Sequence, residues 1–132
     1  MKSHYHCVYD MKYHLVLVTK YRRKCFTSEM LVRMKEIVEN LLSSQEVELL
    51  EFGGETDHIH LLISLNPTVQ PSKLINSLKT VTSRLLRKEF AAHLAKYYWK
   101  PVLWSRAYCL LTAGGAPIET LRRYIENQER PV

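Results

Sequence analysis

The sequence has little of what builds disulfide scaffolds, zinc ribbons or membrane spans. Its 132 residues include only 3 cysteines, Cys7, Cys25 and Cys109, which are widely spaced and form no CxxC pair. This pattern argues against a disulfide framework or a structural zinc site and suits a reducing cytoplasm. No apolar run approaches the roughly 20 residues that a membrane-spanning helix needs, and the opening MKSHYHCVYD lacks the apolar stretch of a signal peptide. We therefore expect a cytoplasmic protein with no membrane partner.

The composition is that of a single packed domain. Hydrophobic residues make up 46% of the chain and charged residues 24%, which is ordinary for a globular protein and excludes a disordered one. A chain of this length buries roughly two-thirds of its unfolded surface, so it needs no covalent staples. We find no internal repeat, low-complexity tract or linker, and we expect residues 1–132 to form one domain.

Positive charge is in excess and is clustered. The 19 Lys and Arg residues outnumber the 13 Asp and Glu residues, which gives a formal charge of +6. Lys20 and residues 22–24 surround Tyr21, several more cations follow between 73 and 88, and Arg122 and Arg123 are adjacent. Clustered cations neutralise phosphates and release counterions, which favours nucleic acid as a partner. A solvated surface of mixed charge explains the composition equally well at this point.

The hydrophobic periodicity predicts an α+β fold. Three amphipathic segments have helical spacing, and four β-branched or alternating segments are typical of strands. Their order, β-α-β-β-α-β-α, is that of a ferredoxin-like (RRM-like) antiparallel sheet with one extra C-terminal helix. The predicted strands are 13–19, 46–52, 57–65 and 107–112, and the helices begin near Ser28, Pro71 and Pro117.

A His-x-His pair lies within the third predicted strand. Side chains alternate across a strand, so His58 and His60 project from one face about 7 Å apart, and Ile59 faces the opposite side. Two imidazoles at this spacing can converge on one metal ion. Alone the pattern is weak, because most such pairs are ordinary surface or core histidines.

The final predicted helix carries residues that can complete such a site. Tyr124 and Gln128 are four residues apart and share one helical face. Two imidazoles, an amide oxygen and open positions for water or phosphate suit Mg²⁺ or Mn²⁺ better than structural zinc. Tyr124 would then be the nucleophile, activated by a divalent ion that polarises a phosphate. Packing at the edge of an amphipathic helix is the alternative for Tyr124.

Several motifs together resemble a known family. The sequence is similar to the HUH single-tyrosine transposases of the insertion sequence 200/605 family over residues 13–128. The HUH motif, here His58-Ile59-His60, also occurs in relaxases and rolling-circle initiators. An HUH motif that is followed by a Gly-Gly pair and a terminal YIENQ is far more specific. The matching segments are DHIHLLIS, KYRRK at 20–24, LKTVTSRLLRKEF, LWSRAYCLLTAGGAP and YIENQ at 124–128.

The resemblance implies a site and a mechanism. His58, His60 and Gln128 would be the metal ligands, and Tyr124 would form a 5′-phosphotyrosine link to single-stranded DNA. Such enzymes cut and rejoin DNA at element ends that carry hairpins, with no nucleotide cofactor. They are obligate homodimers whose sheets join edge to edge, and Gly114 and Gly115 match the flexible connection before the tyrosine helix.

The resemblance also makes the basic clusters the expected DNA surface. Three aromatic side chains near them, Tyr21, Trp99 and Trp104, are candidates for stacking on bases or for packing in the core. His14, on the first predicted strand, could approach the site, although a structural role is the main expectation. The cations expected to contact DNA are Lys20, Arg22, Arg23, Lys79, Arg84 and Arg87.

Three other functions remain open from the sequence. A domesticated relative acting on repeated palindromes would share the chemistry and differ in its substrate. A ferredoxin-like module that binds single-stranded nucleic acid without catalysis would not need His58. A metallonuclease with water as nucleophile would cleave DNA but leave no phosphotyrosine.

Overall fold

Four antiparallel strands form the main sheet of the computed structural model, which describes residues 2–4, 7–114 and 118–127. Two short strands, β1 (Lys2–His4) and β2 (Cys7–Tyr9), pair separately. The main strands are β3 (Met11–Thr19), β4 (Glu48–Gly54), β5 (His58–Leu65) and β6 (Trp104–Thr112). Their order across the sheet is β4-β5-β3-β6, so β3 and β5 occupy the centre.

Three longer helices and two short helical segments complete the described fold. They are α1 (Ser28–Ser44), α2 (Pro71–Glu89), α3 (Ala91–Leu94), α4 (Ile118–Glu126) and a 3-10 turn (Lys20–Arg22). The predicted ferredoxin-like α+β fold with an extra C-terminal helix is confirmed. The β1–β2 hairpin, α3 and the 3-10 turn were not predicted, because segments of three or four residues carry too little periodicity to detect.

Local sequence accounts for where the two long helices begin. The side chain of Thr27 accepts a hydrogen bond from the backbone N–H of Met30 and so caps α1. Pro71 opens α2, where its missing N–H costs nothing and its fixed φ suits a helix. No helix in the described part of the chain is long and apolar enough to cross a membrane.

The sheet is covered on both faces around β3. Leu15 and Leu17 are buried in the main core with residues of α1 and α2. Val16 and Val18 face the other way and form a second, smaller cluster with Cys109, against which α4 packs. The unbroken buried run along the second half of β3 follows from this sandwich. The sheet thus separates the structural core from the face on which the site is built.

A close contact at Gly54 allows a test of this packing. A Cβ atom on Gly54 would lie 2.8 Å from Leu31 Cδ2 and 3.2 Å from both the His58 carbonyl oxygen and Ile59 Cγ2. Leu31 can rotate away, whereas the neighbouring strand cannot. We expect Gly54→Ala to lower the free energy of unfolding by about 1–3 kcal/mol in urea titrations.

Gly53→Ala is the matched control, since a Cβ atom added there would have no other atom within 4 Å. It should leave the urea midpoint unchanged or raise it slightly. Equal midpoints for the two variants would contradict the close approach of α1 to β4 and β5.

Candidate metal and tyrosine site

A cavity of about 350 Å³ lies on the sheet face that α4 covers. It brings the two predicted histidine ligands next to residues of the last helix. Strand β5 and helix α4 are far apart in the sequence, so the cavity forms only when the chain is folded. Its lining residues are Val16, Glu55, His58, His60, Arg122, Ile125 and Glu126.

The apolar residues of β5 determine where the histidines point. Ile59 and Leu61 are fully buried in the main core, on the side of α1 and α2. Because side chains alternate along a strand, His58 and His60 must then lie on the opposite face. The predicted common face of the two imidazoles is confirmed by the lining of the cavity.

A buried carboxylate orients His58. Asp57 Oδ1 lies 2.9 Å from His58 Nδ1, and Asp57 Oδ2 accepts a hydrogen bond of 3.0 Å from Arg22 Nε. Burial alone would raise the pKa of Asp57, but the hydrogen bonds from His58 and Arg22 outweigh it and lower that pKa below its ordinary value. With Nδ1 engaged by a carboxylate, Nε2 is the nitrogen available for a metal ion, as in other carboxylate–histidine pairs.

His60 has a third histidine as its partner. His14 Nδ1 lies 2.9 Å from His60 Nε2, and the two rings stack with centroids 5.1 Å apart. Burial is the main cause of a lowered pKa for His60, and the electrostatic interaction with His14 adds to it, while Glu51 opposes it. This favours the neutral imidazole, the form that binds metal ions. The sequence favoured a structural role for His14 over an approach to the site, and the contact with His60 shows that it does approach the site. In the β3–β5 register His14 lies opposite Leu62 and therefore diagonal to His60. Knowledge of this register would have placed the two imidazoles side by side.

Tyr124 is packed rather than exposed. Its ring joins Val16, Val18 and Cys109 in the small cluster under α4. Its buried hydroxyl has no hydrogen-bond partner among the described residues. Burial, with a smaller contribution from Cys109, raises the pKa of Tyr124 to about 12. The neighbouring Ile125 lines the cavity, so Tyr124 lies beside the histidines without opening into the same space.

The residues present fit a metal ion that is bound partly by groups other than His, Cys, Asp and Glu. Within the described ranges, no three such side chains are placed so that they could together hold a metal ion. Two imidazoles that line one cavity can supply two nitrogen ligands, and an amide, water or phosphate can fill the remaining positions. Gln128, the predicted third ligand, lies outside the described residues, as does Gly115.

The predicted DNA-contacting cations are distributed over two regions. Lys20 and Arg23 border one groove, and the Arg23 guanidinium donates to the Tyr97 carbonyl. Arg22 is engaged by Asp57, as described above. Lys79, Arg84 and Arg87 lie on α2, where Lys79 Nζ donates to the Arg106 carbonyl at 3.0 Å and Arg87 Nε to Ser83 Oγ at 3.0 Å.

The three aromatic residues that were candidates for base stacking differ in their exposure to solvent. Trp104 is buried and its Nε1 donates to Thr82 Oγ1 at 2.9 Å, so it is a core residue. Trp99 is 99% exposed and Tyr21 is 38% exposed. These two remain accessible to a ligand.

The Asp57 network predicts a pH-dependent contribution to stability. Asp57→Asn removes the carboxylate charge that interacts with both His58 and Arg22. The free energy of unfolding should fall by about 3 kcal/mol near neutral pH. Because the pKa of Asp57 is lowered on folding, this stabilisation is present above about pH 3.8, its ordinary pKa. It is lost as the pH falls through the folded-state value. Urea titrations of both proteins across this range measure the difference.

Asp10→Asn is the control, because Asp10 pairs with Lys12 only at 3.7 Å on the surface. Its effect should stay within about 0.5 kcal/mol. Asp57→Asn should also weaken Mn²⁺ binding about 10–100-fold in calorimetric titrations. An Asp57→Asn protein as stable as the Asp10→Asn protein at neutral pH would contradict this account.

Comparisons with known proteins agree with this arrangement. The family model described as "Transposase IS200 like" matches residues 7–128. The chain is 29% identical over 123 residues to the ISDra2 transposase TnpA of Deinococcus radiodurans, covering 92% of this chain and 86% of that protein. It is 32% identical over 127 residues to the transposase for insertion sequence element IS200 of Salmonella typhimurium, covering 96% and 82%.

Solved structures give the same result. A crystal structure from Deinococcus radiodurans r1, described as that of a transposase, superposes with a TM-score of 0.89 at 30% identity, covering 98% of this chain and 99% of that one. A REP-associated tyrosine transposase bound to a REP hairpin has a TM-score of 0.58 at 9% identity, covering 96% and 69%, and shares the fold. With a family match across nearly its whole length and relatives of this similarity, the chain belongs to the IS200-like transposase family.

Proposed function

We propose that this transposase cuts and rejoins single-stranded DNA at insertion-sequence ends, with Tyr124 as the nucleophile. One observation carries the proposal: the paired histidines and the tyrosine helix occupy the same face of the sheet, around one cavity. Family membership supports DNA as the substrate. Residues 1–132 would act as a single catalytic domain.

The proposed reaction is a phosphoryl transfer that balances without an added energy source. The Tyr124 hydroxyl releases its proton to water as its oxygen attacks the scissile phosphorus, and the bond from phosphorus to the 3′ oxygen breaks. The leaving 3′ oxygen takes up a proton, and the 5′ phosphate remains esterified to tyrosine. Attack by a 3′ hydroxyl reverses these steps and rejoins DNA, so no nucleotide cofactor is required.

Tyr124 needs activation before it can attack. A hydroxyl with a pKa of about 12 is almost entirely protonated at neutral pH. Its burial against Cys109 also keeps it away from a phosphate held in the cavity. DNA binding must therefore uncover the hydroxyl and bring it to the scissile phosphate, which requires α4 to move relative to the sheet.

Gly114, the last described residue before α4, has a backbone conformation suited to a change of chain direction. Gly114 has a φ of +87°, a left-handed conformation that strains other residues, and a Cβ atom there would have no other atom within 4 Å. We propose that Gly114 and Gly115 form the hinge.

His58, His60 and Gln128 would hold Mg²⁺ or Mn²⁺. Such an ion would neutralise charge on the scissile phosphate and stabilise the leaving oxygen. Asp57 fixes the orientation of His58, and the lowered pKa of His60 keeps its imidazole in the neutral form.

The DNA would carry hairpins near the element ends and would follow the basic surface of Lys20, Arg22, Arg23, Lys79, Arg84 and Arg87. The relative of similar fold that was solved with a REP hairpin supports hairpin DNA as the substrate class. Two chains would form the working homodimer, so that two tyrosines serve two strands. The position of β6 at one edge of the described sheet is compatible with edge-to-edge pairing.

Tyr124→Phe separates chemistry from folding. We expect it to abolish the covalent adduct, which wild-type protein forms with a 3′-labelled element-end oligonucleotide and Mn²⁺ on denaturing gels. Because the change removes a buried hydroxyl without a partner, the free energy of unfolding should stay equal or rise by up to about 1 kcal/mol.

Tyr108→Phe, at a partly exposed position on β6, is the control and should retain the adduct. Tyr124 would be rejected as the nucleophile by either of two results. One is a covalent adduct formed by Tyr124→Phe, and the other is metal-dependent cleavage by the wild-type protein without a covalent adduct. The second result would point to water instead.

A further inference from the structure

A second, larger groove lies apart from the histidine cavity. It has a volume of about 980 Å³ and runs between the 3-10 turn at Lys20–Arg22 and the segment 96–102. None of its lining residues lines the histidine cavity. The lining consists of Lys20, Tyr21, Arg23, Lys24, Lys96, Tyr97, Tyr98, Trp99, Lys100 and Val102.

The lining has the chemistry of a site for a polyanion with flat apolar groups. It combines five Lys or Arg residues with four aromatic residues and includes no carboxylate. Lys24, Lys96 and Lys100 are exposed, so their ammonium groups can approach a ligand without breaking internal contacts. Cations along a track with interleaved aromatic rings are the combination that binds single-stranded nucleic acid.

Trp99 is the most informative residue of the groove. Its side chain is 99% exposed, whereas the protein's other tryptophan, Trp104, is buried. The fully exposed indole of Trp99 lies among three other aromatic and five cationic residues of the groove, and this combination leaves a free ring face for a flat ligand. Trp99 also borders a neighbouring cavity of about 330 Å³ that includes Arg87, so cations lie on both sides of it.

The groove is built on a fixed framework. Tyr98 Oη donates to the Lys20 carbonyl at 2.7 Å, and the Arg23 guanidinium donates to the Tyr97 carbonyl, so both walls are tied together. Tyr21 adopts a left-handed backbone with a φ of 58°, and the Lys20 ammonium lies 5.2 Å from its ring centroid. Such strain is retained where the surroundings hold the chain in place, often at binding sites.

We propose that this groove binds unpaired nucleotides of the DNA substrate, with a base stacked on Trp99 and phosphates beside Lys24, Lys96 and Lys100. The identity of the ligand as DNA rests on the proposed function, and the site itself rests on the groove. In a duplex, the faces of each base are already covered by the neighbouring bases. An exposed indole therefore favours unpaired nucleotides, whose bases are free to stack on it. The groove would thus hold the single-stranded portion of the substrate outside the cleavage site.

Binding can be measured without cleavage. The test uses the full chain carrying Tyr124→Phe, in EDTA, with a fluorescein-labelled oligothymidylate and a blunt duplex of the same length. We expect Trp99→Ala to weaken binding of the oligothymidylate about 5–100-fold, the range of one lost stacking contact. Trp99→Phe should restore part of that loss, and binding of the duplex should change much less.

Two controls make the result specific to the groove. Val32→Ala truncates another exposed apolar side chain, on α1, and should leave the affinity unchanged. Lys96→Ala/Lys100→Ala should lower the salt dependence of binding by about 1–1.5 in the log–log slope, as expected when two phosphate contacts to a single strand are lost. Lys12→Ala/Lys35→Ala removes the same charge at exposed positions outside the groove and the basic clusters, and should change the slope less.

Intrinsic fluorescence supplies an independent readout. An unlabelled oligothymidylate should quench the emission of Trp99, and Trp99→Phe should remove that quenching while buried Trp104 continues to emit. Affinity of Trp99→Ala within twofold of the parent, an equal loss for the duplex, or a parent that binds no oligothymidylate would overturn the proposal. Normal binding by the groove, together with a wild-type protein that forms no adduct in the presence of Mn²⁺, would reject only the catalytic proposal.

Discussion

The two-sided burial of the central strands is the constraint on which the rest of the molecule depends. Ile59 and Leu61 are fixed in the core by α1 and α2, and this forces His58 and His60 to the opposite face. On that face Val16 and Val18 offer the apolar surface that α4 covers. The same alternation thus places the histidines and supports the helix that carries Tyr124. A shift of one residue in the register of β5 would exchange core and site.

Asp57 joins this face to the basic turn. Its carboxylate accepts from Arg22 and orients His58, so one buried group supports both the left-handed turn at Tyr21 and the histidine pair. The 3-10 turn at Lys20–Arg22 also forms one wall of the groove beside Trp99. The proposed substrate surface and the proposed metal ligands are therefore mechanically connected through a single ion pair network.

Sequence periodicity predicted the main sheet, the long helices and the shared face of the two histidines, because those features repeat within a few residues. It did not reveal the contact of His14 with His60, which depends on the register between two strands distant in sequence. Nor did it separate Trp99 from Trp104, since both lie in a segment without a clear period. The burial of Tyr124 against Cys109 likewise required the three-dimensional packing of α4. The roles of the site residues, including Gln128, stay predictions.

The central claim is that the histidine pair and the tyrosine helix form one catalytic site. Mass-spectrometric mapping of the protein–DNA adduct tests this, using the wild-type protein and a His58→Ala/His60→Ala variant with Mn²⁺ or EDTA. We expect a nucleotide mass on Tyr124 in the wild-type protein with Mn²⁺, and none in EDTA or in the variant. Attachment to another tyrosine, or modification of Tyr124 that persists without the histidines, would contradict it.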